Sequence, residues 1–211
     1  MLFIFDWDGT LIDSTEKIIN SMQAAISLVG LPVRHQGEIR SIIGLGLPEA
    51  IETLFPGVLP KAADALRLTY SACFVEADRV PCSFYPNALE VLSRLRGEGH
   101  QLAVATGKSR RGLERMLGNL NMASFFDATR CADETASKPH PMMLEQLLNE
   151  LACEGSSAVM IGDTEFDLEM AAAIGMRRIG VSYGAHAVDR LRRHAPEMIV
   201  DDLDQLLSWG G

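Results

Sequence analysis

The sequence predicts an α/β fold, a doubly wound parallel sheet with an all-helical domain inserted near its start. Two patterns carry this expectation. Short, continuously apolar runs alternate with stretches of helical periodicity, as strands buried on both faces alternate with their crossover helices. After the first run, residues 14–82 show helical stripes and no good strand.

The first apolar run is Leu2–Phe5, and similar runs recur at Leu102–Ala105, Ala158–Ile161, Arg178–Val181 and Met198–Val200. Between them, Ser109 is placed to cap a helix carrying Leu113, Met116, Leu117 and Leu120. Pro141 stands at the start of another with Leu144, Leu147, Leu148 and Leu151, since proline is preset for a first helical turn. Thr164 precedes a third, whose Leu168, Ala171 and Ala172 share a face. Within the insert, Ile18, Met22, Ala25, Ile26 and Val29 form one stripe, stopped by Gly30 and Pro32. Further helices are expected at 36–43, 48–54 and 60–78, and a short terminal helix at Asp202–Trp209. The expected division is a core of residues 1–13 and 83–211 around a helical domain of residues 14–82.

Composition narrows the function. With 211 residues, 47% of them apolar, the chain can bury a sizeable core. A formal charge of −9 argues against sequence-independent nucleic-acid binding, which needs a basic face. Cys73, Cys82, Cys131 and Cys153 are widely spaced and read as reduced, mostly buried thiols. The five histidines (His35, His100, His140, His186 and His194) show no spacing that suggests zinc, and read as surface or loop residues. Leu2–Phe5 lacks a basic leader and is cut short by Asp6, unlike a signal peptide, and no run approaches bilayer length. A cytoplasmic protein without nucleic-acid or membrane partners is expected; its oligomeric state stays open.

Four features lie where apolar runs end: Asp6-Trp7-Asp8-Gly9-Thr10, Thr106-Gly107-Lys108, Lys138-Pro139, and Gly162-Asp163-Thr164-Glu165-Phe166-Asp167. In an open α/β sheet the strand C-termini converge on one crevice, so these segments can meet. Four carboxylates gathered there repel by roughly 4 kcal/mol per pair at 4 Å and an effective dielectric near 20. A phosphate dianion adds to this, so such a site calls for a lysine and a divalent cation. Hard oxygen ligands without His or Cys suit Mg²⁺. Asp6 is then the nucleophile, forming an acyl phosphate, and Asp8 protonates the leaving oxygen and deprotonates the incoming water. Thr106 and the amides around Gly107 hold phosphoryl oxygens, and Lys138 offsets charge. Asp163 holds the metal with Asp6, Asp167 joins directly or through water, and Gly9 keeps bulk away from the phosphate.

The order and placement of these motifs resemble the haloacid dehalogenase-like hydrolase superfamily, within the group of phosphoglycolate phosphatases and β-phosphoglucomutases. The resemblance spans essentially the whole chain. It implies a Rossmann-like core and a mobile cap closing over a small phosphorylated metabolite. By matching positions it assigns Asp6 as nucleophile, Asp8 as acid/base, Thr106 and Lys138 to phosphate and Asp163 to the metal. The backbone carbonyl of Asp8 is implied as a further metal ligand. Gly44-Leu45-Gly46 resembles the substrate-facing loop of such caps.

Plainer readings compete at several positions. Asp6 and Asp8 alone could form a strand-end turn. Thr106-Gly107 could be only a strand-to-helix turn, and Lys138 a solvated residue ahead of a helix. Asp167 falls three residues after Thr164, as a capping partner would. Lys108, Arg110 and Arg111 read as a solvated helix face, Asp13 as a hinge or helix-start residue, and Arg40 as a possible contact to a substrate anion. Among functions, an acidic Asp8 favours phosphoryl transfer over dehalogenation, and the lack of membrane spans excludes an ion pump. Hydrolysis of a phosphate monoester leads; a phosphosugar mutase uses the same motifs, and a silent binding protein would be expected to lack one of them.

Overall fold

Six short strands pair in parallel as one sheet in the computed structural model, which describes residues 1–210. They are β1 (Leu2–Phe5), β2 (Gln101–Thr106), β3 (Ala128–Cys131), β4 (Ala158–Gly162), β5 (Arg177–Val181) and β6 (Met198–Val200). The sheet order is β3-β2-β1-β4-β5-β6. In register, Phe5 lies between Val104 and Ile161. Chain order reverses at β1, which makes the C-terminal edge beside it the switch point of the fold.

The two-residue period of β1 sends side chains to opposite faces of the sheet. Phe3 and Phe5 pack with Leu92, Leu95, Leu203 and Leu206 on one face. Leu2 and Ile4 pack with Leu144, Leu147 and Met170 on the other. The covering helices are α5 (Ala88–Gly97), α6 (Arg110–Asn119), α7 (Met142–Glu150), α8 (Glu165–Ala173) and α9 (Val188–Arg192). Ser109 accepts the Gly112 N–H at the start of α6, and Pro141 precedes the first residue of α7.

Between β1 and α5 lie four helices and no strand: α1 (Thr15–Val29), α2 (Gln36–Arg40), α3 (Leu47–Leu54) and α4 (Pro60–Ala77). They enclose an apolar core of their own, with Ile19, Met22 and Ile26 of α1 against Ile51, Leu66 and Phe74. Each fully buried aliphatic side chain contributes about 1.5–3 kcal/mol. The two crossings into this helical insert run side by side: the Asp13 N–H bonds the Ser83 carbonyl at 3.0 Å, and the Tyr85 N–H bonds the Leu11 carbonyl at 2.9 Å.

The sequence pattern missed β3, an edge strand whose Thr129 and Arg130 are only half-buried. It also missed α5, although Ala88, Val91, Leu92 and Leu95 hold helical spacing. The segment after Arg40 turns instead of continuing the expected helix to 43, and the chain ends in a 3₁₀ helix at Leu203–Ser208. Only Cys131 of the four free cysteines is fully buried; Cys73, Cys82 and Cys153 are half-buried, because they lie where the insert and the connecting loops meet solvent.

Candidate active site

Asp6 is the first residue beyond β1, and its N–H still bonds the Ile161 carbonyl of β4 at 2.9 Å. Its backbone is therefore as fixed as the strand. The chain then turns sharply, the Trp7 carbonyl accepting the Leu11 and Ile12 N–H groups. Gly9 takes a φ of 82°, in the left-handed region that favours glycine, and a Cβ there would run into the Asp163 carboxylate. Thr106 closes β2, and Asp163 follows β4.

These strand ends bring Asp6, Asp163 and Asp167 together, with a ligand atom from each within 4.8 Å of the others. All three are at most 1% exposed, as is Lys138. The Lys138 ammonium lies 2.9 Å from Asp6 Oδ1 and 2.6 Å from Asp167 Oδ1. The Trp7 N–H donates to Asp6 Oδ1 at 2.7 Å. Asp163 accepts from the Thr10 hydroxyl at 3.0 Å and from the Ala185 N–H at 2.7 Å. Asp167 Oδ2 accepts both the N–H and the hydroxyl of Thr164, at 3.1 and 2.7 Å. The capping box of α8 is thus real, and it leaves Asp167 in the cluster as well.

The remaining oxygen, Asp6 Oδ2, is buried with no hydrogen-bond partner. Leaving a buried charged oxygen unpaired is costly, so this atom marks where a further cation or an electrophile belongs. Burial, less the opposing effect of Lys138, holds the Asp6 carboxyl well above the usual carboxylate range. Burial and the Asp167 charge push Asp163 up to about 7. For Lys138, burial works against the charge, but Asp167 and Asp6 together raise its pKa above the ordinary lysine value. Three convergent carboxylates with one orphaned oxygen suit a hard divalent cation such as Mg²⁺.

Asp8 stands apart from this cluster. It accepts the Ser14 hydroxyl at 2.6 Å and the Lys108 ammonium at 2.9 Å. Lys108 is therefore no solvated helix residue: Asp8 draws its side chain inward, and its ammonium sits 4.5 Å above the Phe74 ring of α4. Arg110 is tied to Glu134 and Thr129, whereas Arg111 is exposed. Arg40, a possible substrate contact in the sequence, pairs with Glu16 at the surface.

The insert reaches the site through Gly44-Leu45-Gly46. A Cβ on Gly107 would lie 2.6 Å from the carbonyl oxygens of Gly44 and Leu45, and one on Gly44 would meet the Thr164 hydroxyl at 2.9 Å. The Gly46 N–H donates to Ser137 Oγ at 2.7 Å. Both loop glycines and Gly107 thus answer a steric demand. His186, read as a surface or loop histidine, is buried at 3% exposure. Its Nδ1 accepts the Glu165 N–H at 3.1 Å, which leaves Nε2–H to donate to the Ser41 carbonyl of the insert at 3.2 Å. Burial, then the charge of Arg190, lowers its pKa to about 4. Nothing in the short motifs pointed to Ser137 or His186. Thr10 and Ser14 lie in or beside the first motif, where their hydroxyls were the available signal.

Between insert and core lies a cavity of about 1180 Å³, with Asp6, Asp8 and Thr106 at its inner end. No helix among the described residues is long and apolar enough to cross a membrane.

An open parallel sheet gathering carboxylates and a buried lysine at its switch point defines a Rossmann-like enzyme built for charged chemistry. The model of the family "Haloacid dehalogenase-like hydrolase" matches residues 3–181. The chain is 35% identical to the "Probable phosphatase IndB" of Dickeya dadantii, over 98% of this chain and 92% of that protein. It is 26% identical to the "Phosphoglycolate phosphatase" of Pectobacterium atrosepticum, over 98% and 91%. Among solved structures, a predicted phosphoglycolate phosphatase from Haemophilus somnus superposes with a TM-score of 0.88 at 23% identity, over 98% and 96% of the two chains. The chain belongs to the haloacid dehalogenase-like hydrolase family, and it is an enzyme of that family's phosphatase type.

Proposed function

We propose that this chain hydrolyses a small phosphate monoester through a phospho-aspartate on Asp6. The observation that carries the proposal is Asp6 Oδ2: a buried carboxylate oxygen without a partner, on a residue lining the cavity. The names of the two curated relatives support the same class of reaction. Asp6, Asp163 and Asp167, with the Asp8 carbonyl that the family resemblance implies, would hold Mg²⁺. When bound, the ion offsets the carboxylate charge and polarises the phosphoryl group.

In the first half-reaction the Asp6 carboxylate attacks phosphorus, and the bond to the leaving oxygen breaks as Asp8 gives that oxygen a proton. Thr106 and the Gly107 amide bind phosphoryl oxygens, and Lys138 steadies their charge. In the second, Asp8 takes a proton from water as the water attacks phosphorus, and the bond to Asp6 breaks to free phosphate. We read the helical insert as the cap, and the Gly44–Gly46 loop as the part that shuts water out over Gly107.

The test is phosphate release from a panel of phosphorylated metabolites with Mg²⁺, together with acid-trapping of labelled phospho-enzyme. Asp6→Asn is expected to lower turnover by at least about a thousandfold and abolish trapping, with the fold intact by circular dichroism. Retained turnover refutes the nucleophilic role. Isomerisation of a sugar phosphate without release of phosphate replaces hydrolysis by mutase chemistry.

A further inference from the structure

The cavity is much larger than the phosphoryl group requires. At about 1180 Å³ it has room for roughly forty waters at ~30 Å³ each. Its inner end is charged, and the wall supplied by the insert is mostly apolar: Met22, Ile42, Leu45, Tyr70 and Phe74 line it, with Glu49, Arg67 and Glu76 as its charged members. Leu68 and Val75, two residues before Tyr70 and one residue beyond Phe74 on α4, continue the wall, and they are 60% and 48% exposed. A two-carbon leaving group would leave most of this surface wetted. A ring-sized one would remove it from water, gaining about 25 cal/mol for each Å² covered.

Two side chains give the wall a direction. Tyr70 and Phe74 lie one helical turn apart, with ring centroids 6.0 Å apart and planes tilted by 44°. Beneath Phe74 is Lys108, itself paired to Asp8. Tyr70 is half-buried in this wall, and burial first, then the nearby Asp8 charge, raises the pKa of its phenol. Its polar tip, on a mostly apolar wall and near the residue that protonates the leaving oxygen, is placed to meet a ligand.

The geometry points to α4 as the element that reads the leaving group, with Tyr70 and Phe74 as specificity-determining residues. The substrate is a phosphate monoester whose leaving group carries a ring-sized apolar face and a polar group that meets the Tyr70 hydroxyl. This rests on the phosphatase reading above. It assigns specificity to the fourth helix of the insert as well as to the glycine loop between α2 and α3.

The experiment compares kcat/KM with Mg²⁺ for 2-phosphoglycolate, 1-naphthyl phosphate and a nucleoside 5′-monophosphate, in the wild-type chain, Tyr70→Phe and Phe74→Leu. Both ring-bearing esters are expected to exceed 2-phosphoglycolate by at least about tenfold. Tyr70→Phe is expected to cost the nucleotide, which offers hydroxyl and ring heteroatom partners, about tenfold, and naphthyl phosphate less than about twofold. Phe74→Leu is expected to lower both ring-bearing esters and spare 2-phosphoglycolate. Tyr70→Phe decides the matter should Phe74→Leu fail to fold. Equal or faster turnover of 2-phosphoglycolate, or equal effects of Tyr70→Phe on all three esters, overturns the assignment and leaves the phosphatase reading standing. No phosphate release from any of the three, with an active relative assayed in parallel, overturns both.

Discussion

Two lysines divide this site into regions of different physics. Lys138 sits in the inner cluster, where it and three carboxylates are almost wholly out of water and nearly every oxygen has a fixed donor. Lys108 sits one step outward, on Asp8 and against the Phe74 ring, in a cavity whose far wall is mostly apolar and partly exposed. The inner region comes from the sheet, held by backbone bonds such as Asp6 N–H to Ile161. Most of the outer wall comes from the insert, a separate core joined through two adjacent crossings. On the proposed reading, charge is preorganised where bonds would break, and recognition falls to a surface free to vary.

The largest expected effect separates the two lysines. Lys138→Met strips the cation from the two buried carboxylates it pairs with, Asp6 and Asp167, a change expected to cost about 3–5 kcal/mol of stability. Lys108→Met removes the cation from one nearly buried carboxylate that keeps the Ser14 hydroxyl as a donor, and is expected to cost less, about 1–2 kcal/mol. Urea unfolding of both variants without added metal checks this, and equal costs would erase the distinction between the regions.

The inner cluster should also set how Mg²⁺ stabilises the fold. Asp6 and Asp163 bind protons more tightly when folded than when unfolded. Between the ordinary carboxylate pKa near 4 and about 7, the folded state therefore holds more protons, and this contribution to stability falls as pH rises. Mg²⁺ competes for the same oxygens, so it should stabilise more at pH 8 than at pH 5.5. At a hundred times its Kd the gain approaches about 2.7 kcal/mol. A rise in Tm that is independent of pH would remove Asp6 and Asp163 from the metal shell.

His186 pulls the other way. Its pKa falls from near 6.5 unfolded to about 4 folded, so the unfolded state binds the extra proton between those values. The contribution is complete above about 6.5 and is lost as pH falls towards 4, the loss reaching about 2 kcal/mol by pH 5. His186→Gln should flatten that part of the stability profile relative to the wild type. An unchanged slope would mean that the histidine is not held neutral across the Ser41 contact.

The parts of this site legible in sequence are those whose chemistry needs a residue type at a strand end. Asp6, Thr106 and Asp163 follow apolar runs, and the sheet topology then places them together. Lys138 could be expected as a cation, but not its bridge between Asp6 and Asp167, which depends on how the loop after β3 folds back. Strand β3 itself escaped notice because an edge strand needs no continuous apolar run. Lys108 was misplaced for a related reason. Its place just ahead of α6 predicts solvent, and only a contact with Asp8, one hundred residues earlier, turns it inward. Tertiary contacts of that kind leave no local period to read.

Ser137 is the smallest lever and the one that joins the two regions. It precedes Lys138, and its hydroxyl oxygen accepts the Gly46 N–H at 2.7 Å, so a single side chain ties the loop of the insert to the segment carrying the inner cation. Ser137→Ala leaves that N–H without its partner when the loop is seated, at a cost of about 0.5–1.5 kcal/mol to the closed arrangement. Neither the inner carboxylates nor the wall of α4 is touched. The expected result is a two- to tenfold fall in kcat/KM, roughly uniform across substrates, with the Mg²⁺-dependent gain in Tm unchanged. A substrate-dependent fall would move Ser137 into the recognition surface, and a weakened Mg²⁺ effect would move it into the inner cluster. Either result would show that the boundary between the two regions lies elsewhere than at the Gly46 contact.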